Sequence, residues 1–250
     1  MHTKLFSATT LGTAAALLTS AAAHAAVVAP FSITTDPGTG SATDNENLIG
    51  ITLVEDGPTL STILPATYVG GDSGTTIQAN DVGTPAQNAA TIAAFQSDAS
   101  ISTGTLSTSA NTQWTFGESV GLDEIIYVAE LAAGTSNDDP VFELIDSSNV
   151  ALGFTLSISG FGADPTGLTS ITTTRSTGAL AGGSIAVQTF TAADFTDGSG
   201  ASYAGTAAWG IQLTTPDGID ITAVGRAVPE PGSLMLIGLG GVVMLRRRRA

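Results

Sequence analysis

The chain contains no cysteine. That excludes disulfides, thiolate nucleophiles, thiolate metal sites and a lipid anchor on an N-terminal cysteine. Histidine and lysine are nearly as scarce, and His2, His24 and Lys4 all fall in the first 25 residues. Between Ala26 and Ala227 the only basic residues are Arg175 and Arg226, set against twenty-one Asp and Glu, so this region carries −19 where the whole chain carries −15. Such a surface repels nucleic acid and anionic membranes, and it suits solubility, cation binding or a hydrated matrix. Aromatic residues make up only 6% of the chain, whereas glycosidase clefts usually carry several.

Long apolar runs are confined to the two ends. Met1-His2-Thr3-Lys4 precedes an apolar stretch from Leu5 to about Leu18 and then the small residues Ala21 to Ala26. This is the order of a secretory signal peptide, and Ala23 and Ala25 supply the small side chains that cleavage requires. The expected domain order is a signal peptide at 1–25, an ectodomain at 26–227 and a C-terminal signal at 228–250. Removing the first segment takes away every histidine and lysine.

At the other end, Val228-Pro229-Glu230-Pro231 leads into fourteen uncharged residues, Gly232 to Leu245, and then Arg246-Arg247-Arg248-Arg249-Ala250. At 1.5 Å per residue, an apolar helix of that length covers roughly 21 Å, less than the ~30 Å hydrocarbon core. A membrane segment over 233–245 would therefore be a short tether, with Arg246 to Arg249 as its cytoplasmic stop.

The remaining ~200 residues are enough for one good-sized core or two small ones. They are rich in Gly, Ser, Thr, Ala and Asp, with short apolar stretches broken by turn residues every 8 to 12 positions. That pattern predicts an all-β, antiparallel β-sandwich, jelly-roll-like or immunoglobulin-like. Phe154, Leu156 and Ile158 alternate with Thr155 and Ser157, and the pairs Ile185/Val187, Ile211/Leu213 and Ile219/Ile221 keep the same period of two. Leu48–Val54 and Ile125–Leu131 are more continuously apolar, as in strands covered on both faces. Pro216-Asp217-Gly218, between Trp209–Thr215 and Ile219–Val224, reads as a hairpin turn. Ala86–Gln96 is the one stretch with helical character. A composition shift near Asn111 divides either two subdomains or the ragged first half of one sandwich.

Candidate chemistry is sparse. Gly71-Asp72-Ser73-Gly74 contains a serine-protease-like tetrad, but a serine nucleophile needs a base and the mature chain has no His or Lys. It also contains Asp-Ser-Gly, yet an aspartic protease needs two such carboxylates, and no second motif occurs. Asp123, Glu124, Glu130, Glu143 and Asp146 offer carboxylates for glycoside hydrolysis, which needs only an acid paired with a nucleophile or base. Calcium suits the available oxygen donors better, and Asp138, Asp139 and Glu143 form the densest candidate set, with Asp44–Asn47, Asp194 and Asp197 as lesser ones. Trp114, Trp209, Tyr68, Tyr127 and Tyr203 are the residues able to stack on sugars, although core packing is their commoner use. For Arg175 and Arg226 the default role is to pair with a carboxylate.

The tail from Val228 to Arg249 resembles the PEP-CTERM sorting signal of Gram-negative bacteria, with Pro-Glu-Pro, a short membrane stretch and an arginine cluster in order at the C-terminus. The resemblance implies that Pro229, Glu230 and Pro231 are recognised by an exosortase, a membrane-embedded processing enzyme. It further implies export across the inner membrane, transient tethering there, and a final place at the cell surface or in the extracellular matrix. Proteins of this class are associated with extracellular polysaccharide and biofilm. The reading that follows is a structural or adhesive matrix protein without enzymatic activity. A Ca²⁺-dependent carbohydrate-binding module is the alternative, and a carboxylate-only glycoside hydrolase the third.

Overall fold

The computed structural model describes residues 31–36, 47–71, 76–79, 104–107, 110–132, 139–161, 170–172, 184–216 and 219–228. The signal peptide, the apolar and arginine segments of the tail, the Ala86–Gln96 stretch, Asp138 and Arg175 lie outside these residues.

The strands, in chain order, are β1 (Ser32–Asp36), β2 (Asn47–Thr52), β3 (Thr59–Leu60), β4 (Thr62–Pro65), β5 (Thr67–Gly70), β6 (Thr76–Ala79), β7 (Gly104–Ser107) and β8 (Thr112–Thr115). They continue with β9 (Ile125–Ala132), β10 (Val141–Ile145), β11 (Ala151–Ser157), β12 (Ser170–Thr172), β13 (Ser184–Phe190), β14 (Gly210–Thr215) and β15 (Asp220–Val228). All the pairings are antiparallel, and the described residues contain no α-helix, only a 3-10 turn at Ala192–Asp194. The expectation of an all-β antiparallel fold holds.

Three sheets result. The largest runs β12-β13-β9-β15-β7-β6, with β4 also paired to β15; a second runs β11-β10-β14-β8-β5; a third runs β1-β2-β3. The first two face one another across the main core, where Ile126, Val128, Phe190, Ile221 and Val224 meet Trp114, Phe142, Leu144, Leu156, Ile211 and Leu213. Phe190 anchors this layer, its ring 6.0 Å from Phe142 and 5.7 Å from Phe195. The other face of the largest sheet supplies Tyr127, Ala129, Ile185, Val187, Ala223 and Ala227 to a separate cluster with Leu48, Ile51 and Leu60 of the third sheet. A two-sheet sandwich is therefore extended by a third layer, and the largest sheet lies in the middle.

This arrangement explains the largely apolar stretch at Ile125–Leu131, interrupted only by Glu130. Ile126 and Val128 point into one core and Tyr127 and Ala129 into the other, all at 0% exposure. Full burial of each large side chain is worth about 1.5–3 kcal/mol, so the strand needs hydrophobes on both faces. Strand β11 does alternate, with Leu156 and Ile158 buried and Thr155 and Ser157 exposed. Leu48–Val54 behaves differently from expectation. It forms the middle strand of the small sheet but is covered on one face only, and Ile49 and Val54 are 45% and 61% exposed.

One further correction concerns the link between β14 and β15. Strands β14 and β15 do not pair with one another as a hairpin would require. β14 lies between β10 and β8 in one sheet, while β15 lies between β9 and the β7/β4 edge of the facing sheet. The chain thus passes from one sheet to the other between Pro216 and Ile219, and the Ile219 N–H donates to the Pro216 carbonyl at 3.0 Å. Ile219 and Ile221 share a face as expected, and beyond them a register shift lies between Ile221 and Ala223, where β15 slips against β9. One extra residue in a strand reverses which side chains point to which face. Ile219 and Ile221 consequently enter the main core, whereas Ala223 and Ala227 enter the second one.

Strands from before Asn111 are built into the sheets of the second half: β4 and β7 pair with β15, and β5 with β8.

Candidate functional site

Strand β15 is the last described element, and it ends at Val228, directly before Pro229. Its final residues are held on both sides. Gly225, Arg226 and Ala227 lie opposite Pro65, Leu64 and Ile63 of β4 and opposite Tyr127, Ile126 and Ile125 of β9, and Val228 lies opposite Thr62. The approach at Gly225 leaves no space for a side chain, because a Cβ there would stand 2.5 Å from the Leu64 carbonyl oxygen and 2.6 Å from the Tyr127 hydroxyl. Pro229, next in the sequence, has no N–H to donate to a ladder.

Arg226 fastens the strand from the side. Its side chain is 3% exposed, and its guanidinium carbon sits 5.6 Å from the centre of the Phe116 ring. Nη1 donates to both Glu124 carboxylate oxygens at 3.1 and 2.9 Å, and Nη2 donates to Glu118 Oε1 at 2.7 Å. Glu124 is itself held in place, because its Oε2 also accepts the Gly121 N–H at 2.8 Å and its own N–H donates to the Gly121 carbonyl at 3.2 Å. The loop carrying both acids is pinned to the second sheet by the Phe116 and Val120 N–H groups, which donate to the Trp209 and Ala208 carbonyls. A cation removed from water needs such partners, and here both Nη groups have them while the buried Nε has none among the described residues. The expected carboxylate pairing of Arg226 is present, and it involves two acids more than 100 residues away in sequence.

The other candidate residues are dispersed. Asp139 Oδ1 accepts the Gly160 N–H at 2.8 Å. Glu143 accepts the Gly153 N–H at 3.1 Å and the Gln212 amide at 2.7 Å, and Gln212 in turn accepts from the Gln113 amide at 3.0 Å. Asp146 accepts the Ser148 and Val150 N–H groups, closing the turn between β10 and β11. Asp194 caps the 3-10 turn through Thr191. Asp197 collects the Ser199 hydroxyl and the Ser199 and Ala201 N–H groups, and these bonds, led by the Ser199 hydroxyl, hold its carboxyl below the usual carboxylate range. Asp123 is exposed and Glu130 is buried in the central sheet. Among the described residues, no three His, Cys, Asp or Glu side chains gather in a way that would hold a metal ion.

The aromatic residues serve the interior. Trp114, Tyr127 and Tyr203 are 1%, 0% and 5% exposed, and Tyr68, whose phenol pKa is pushed up by burial, packs against Trp114 with ring centres 6.3 Å apart and planes tilted by 60°. The Tyr203 hydroxyl accepts the N–H groups of Ala207 and Ala208 at 2.7 and 2.8 Å. Core packing and loop fixation account for these rings.

The geometry thus places a thoroughly paired strand directly before a Pro-Glu-Pro, apolar and arginine tail, the arrangement of a folded domain carried on a C-terminal sorting signal. Residues 227–249 match the family model of the PEP-CTERM protein-sorting motif, and the chain is a PEP-CTERM sorting-domain-containing protein. That motif is the mark of exported proteins of Gram-negative bacteria that an exosortase processes. Comparison with curated proteins and with solved structures yields no match. The motif begins at Ala227, so its first two residues are also the last two of β15.

Proposed function

We propose that the mature protein is a structural or adhesive component of the extracellular matrix, delivered there by export and by exosortase processing of its tail, and that it performs no catalysis. The observation that carries this reading is the continuity of β15 with the sorting motif, which makes the whole acidic β-domain the cargo of the signal. The chemistry of the domain agrees with a passive role. Several of its described carboxylates, Glu118, Glu124, Glu143, Asp146 and Asp197 among them, hold backbone N–H groups, an amide or Arg226, and Trp114, Tyr127 and Tyr203 are in the core. A hydrated surface carrying −19 between Ala26 and Ala227 suits a polymer-rich exterior, where like charge limits self-association.

The test is to compare where the wild-type chain and a Pro229→Ala, Glu230→Ala, Pro231→Ala variant accumulate in the source cell. The wild type is expected in the matrix and surface fractions and the variant at the inner membrane. An identical distribution of the two would overturn the sorting part of the reading. Release of new reducing ends from the cell's own polysaccharide by the purified wild-type protein would overturn the non-catalytic part.

A further inference from the structure

We infer that β15 is the strand that completes the fold, so that the exported chain gains its native structure only once Asp220–Val228 is on the far side of the membrane. The inference rests on the export reading above and adds to it the order in which the domain folds. Among the described residues β15 is the last strand in the chain, yet it does not take an edge position. It lies inside the largest sheet, with β9 along one side and β7 and β4 along the other. Seven of its nine residues are buried. Ile221 and Val224 belong to the main core, and Ala223 and Ala227 to the second, so neither core closes without it.

Strands made much earlier depend on this last one. Of the described strands, β4 pairs with β15 alone, and β7, which carries β6, joins the rest of the largest sheet only through β15. The corner where the chain passes from β4 to β5 is held by the Ala66 N–H, which donates to the Val224 carbonyl at 2.8 Å. Arg226 adds a further tie, reaching Glu124 and Glu118 across 102 and 108 residues of sequence. Until β15 arrives, β9 presents an open edge and both of its apolar faces lack part of their cover. A sheet holds only when its apolar face is buried, and pairing between distant segments must close a long loop before any contact forms. A domain with its last strand at an edge can fold ahead of that strand and block a membrane channel. One with its last strand in the middle stays extended until that strand has crossed.

The experiment is hydrogen exchange read strand by strand on the purified full chain and on two variants. When the wild type refolds from urea and is labelled at successive times, the amides of β4, β7, β9 and β15 are expected to become protected in one step. Stable protection of β9, β13 and β10 while β15 still exchanges would overturn the inference. Gly225→Val puts a side chain where a Cβ meets the Leu64 carbonyl oxygen at 2.5 Å and the Tyr127 hydroxyl at 2.6 Å, which keeps β15 from seating. This variant should lose protection in both cores together, β2 of the third sheet included, and a main core that stays protected in it would sink the idea. Thr172→Pro breaks β12 at the edge of the same sheet and should leave both cores protected. Loss of both cores there as well would also overturn the inference, because β15 would then hold no special place. Retention of the wild-type chain in the cytoplasm would defeat the export reading instead, since the refolding order is read on purified protein.

Discussion

Arg226 Nη1 holds both oxygens of Glu124, at 3.1 and 2.9 Å, three residues before the first proline of the sorting motif. The pair joins the loop ahead of β9 to the strand that leads out of the domain. Glu124→Ala strands a buried guanidinium on Glu118 alone, and we expect a loss of about 2–3 kcal/mol in urea unfolding, below the full range for breaking a buried pair because the Glu124 side chain is 29% exposed. Glu118→Ala, at a side chain 67% exposed, should cost less than about 1 kcal/mol. Equal losses from the two substitutions would contradict the buried-clamp description.

Gly210 and Gly198 form a contrast of another kind. A Cβ at Gly210 would sit 2.1 Å from the Trp114 carbonyl oxygen, backbone that cannot swing aside, whereas a Cβ at Gly198 meets nothing within 4 Å. Gly210→Ala should destabilise the fold by about 3 kcal/mol or more, as overpacking does when no side chain can yield. Gly198→Ala should stay within about 0.5 kcal/mol of wild type. Thermal melts of the two variants provide the check.

Tyr203→Phe deletes the hydroxyl that accepts two consecutive N–H groups, of which the one on Ala208 is buried. A buried donor left without its acceptor costs about 1–3 kcal/mol. The loop before β14 should lose amide-exchange protection at Ala207 and Ala208 first, while Phe154, whose ring lies 5.1 Å from Tyr203, keeps its packing. Unchanged exchange at both amides would refute the role given to the hydroxyl.

The acid limb of the stability profile should contain a contribution from Asp197. Its folded-state carboxyl is held below the ordinary value of 3.8 by the Ser199 and Ala201 bonds. A depressed carboxyl adds stability that is present above its unfolded pKa and lost as pH falls through the lower folded value. Asp197→Asn keeps the turn geometry but cannot titrate, so wild type should lose more stability than the variant between about pH 4 and lower pH. Parallel acid limbs for the two proteins would show that the turn carries no such linkage.

Much of the architecture was legible from side-chain period. Phe154, Leu156 and Ile158 reported a half-buried strand, and the more continuously apolar stretch at Ile125–Leu131 reported one covered twice, because burial on each face sets the residue types directly. Pairing partners were less accessible. Pro216-Asp217-Gly218 encodes a reversal of direction, and the same turn chemistry serves a hairpin or a crossover between sheets. The slip between Ile221 and Ala223 was hidden because a bulge changes facing without changing composition. At the candidate site, the scarcity of cations pointed to Arg226 as a carboxylate partner. The choice of Glu118 and Glu124 depends on how β8, β9 and β15 meet in space.

The most direct measurement is the intact mass of the protein recovered from outside the cell. The mass should lack Arg246–Arg249 and the first 25 residues while retaining the β-domain through Arg226. A surface protein whose mass still includes the arginine tail would contradict C-terminal processing, and with it the route by which this domain reaches the cell exterior.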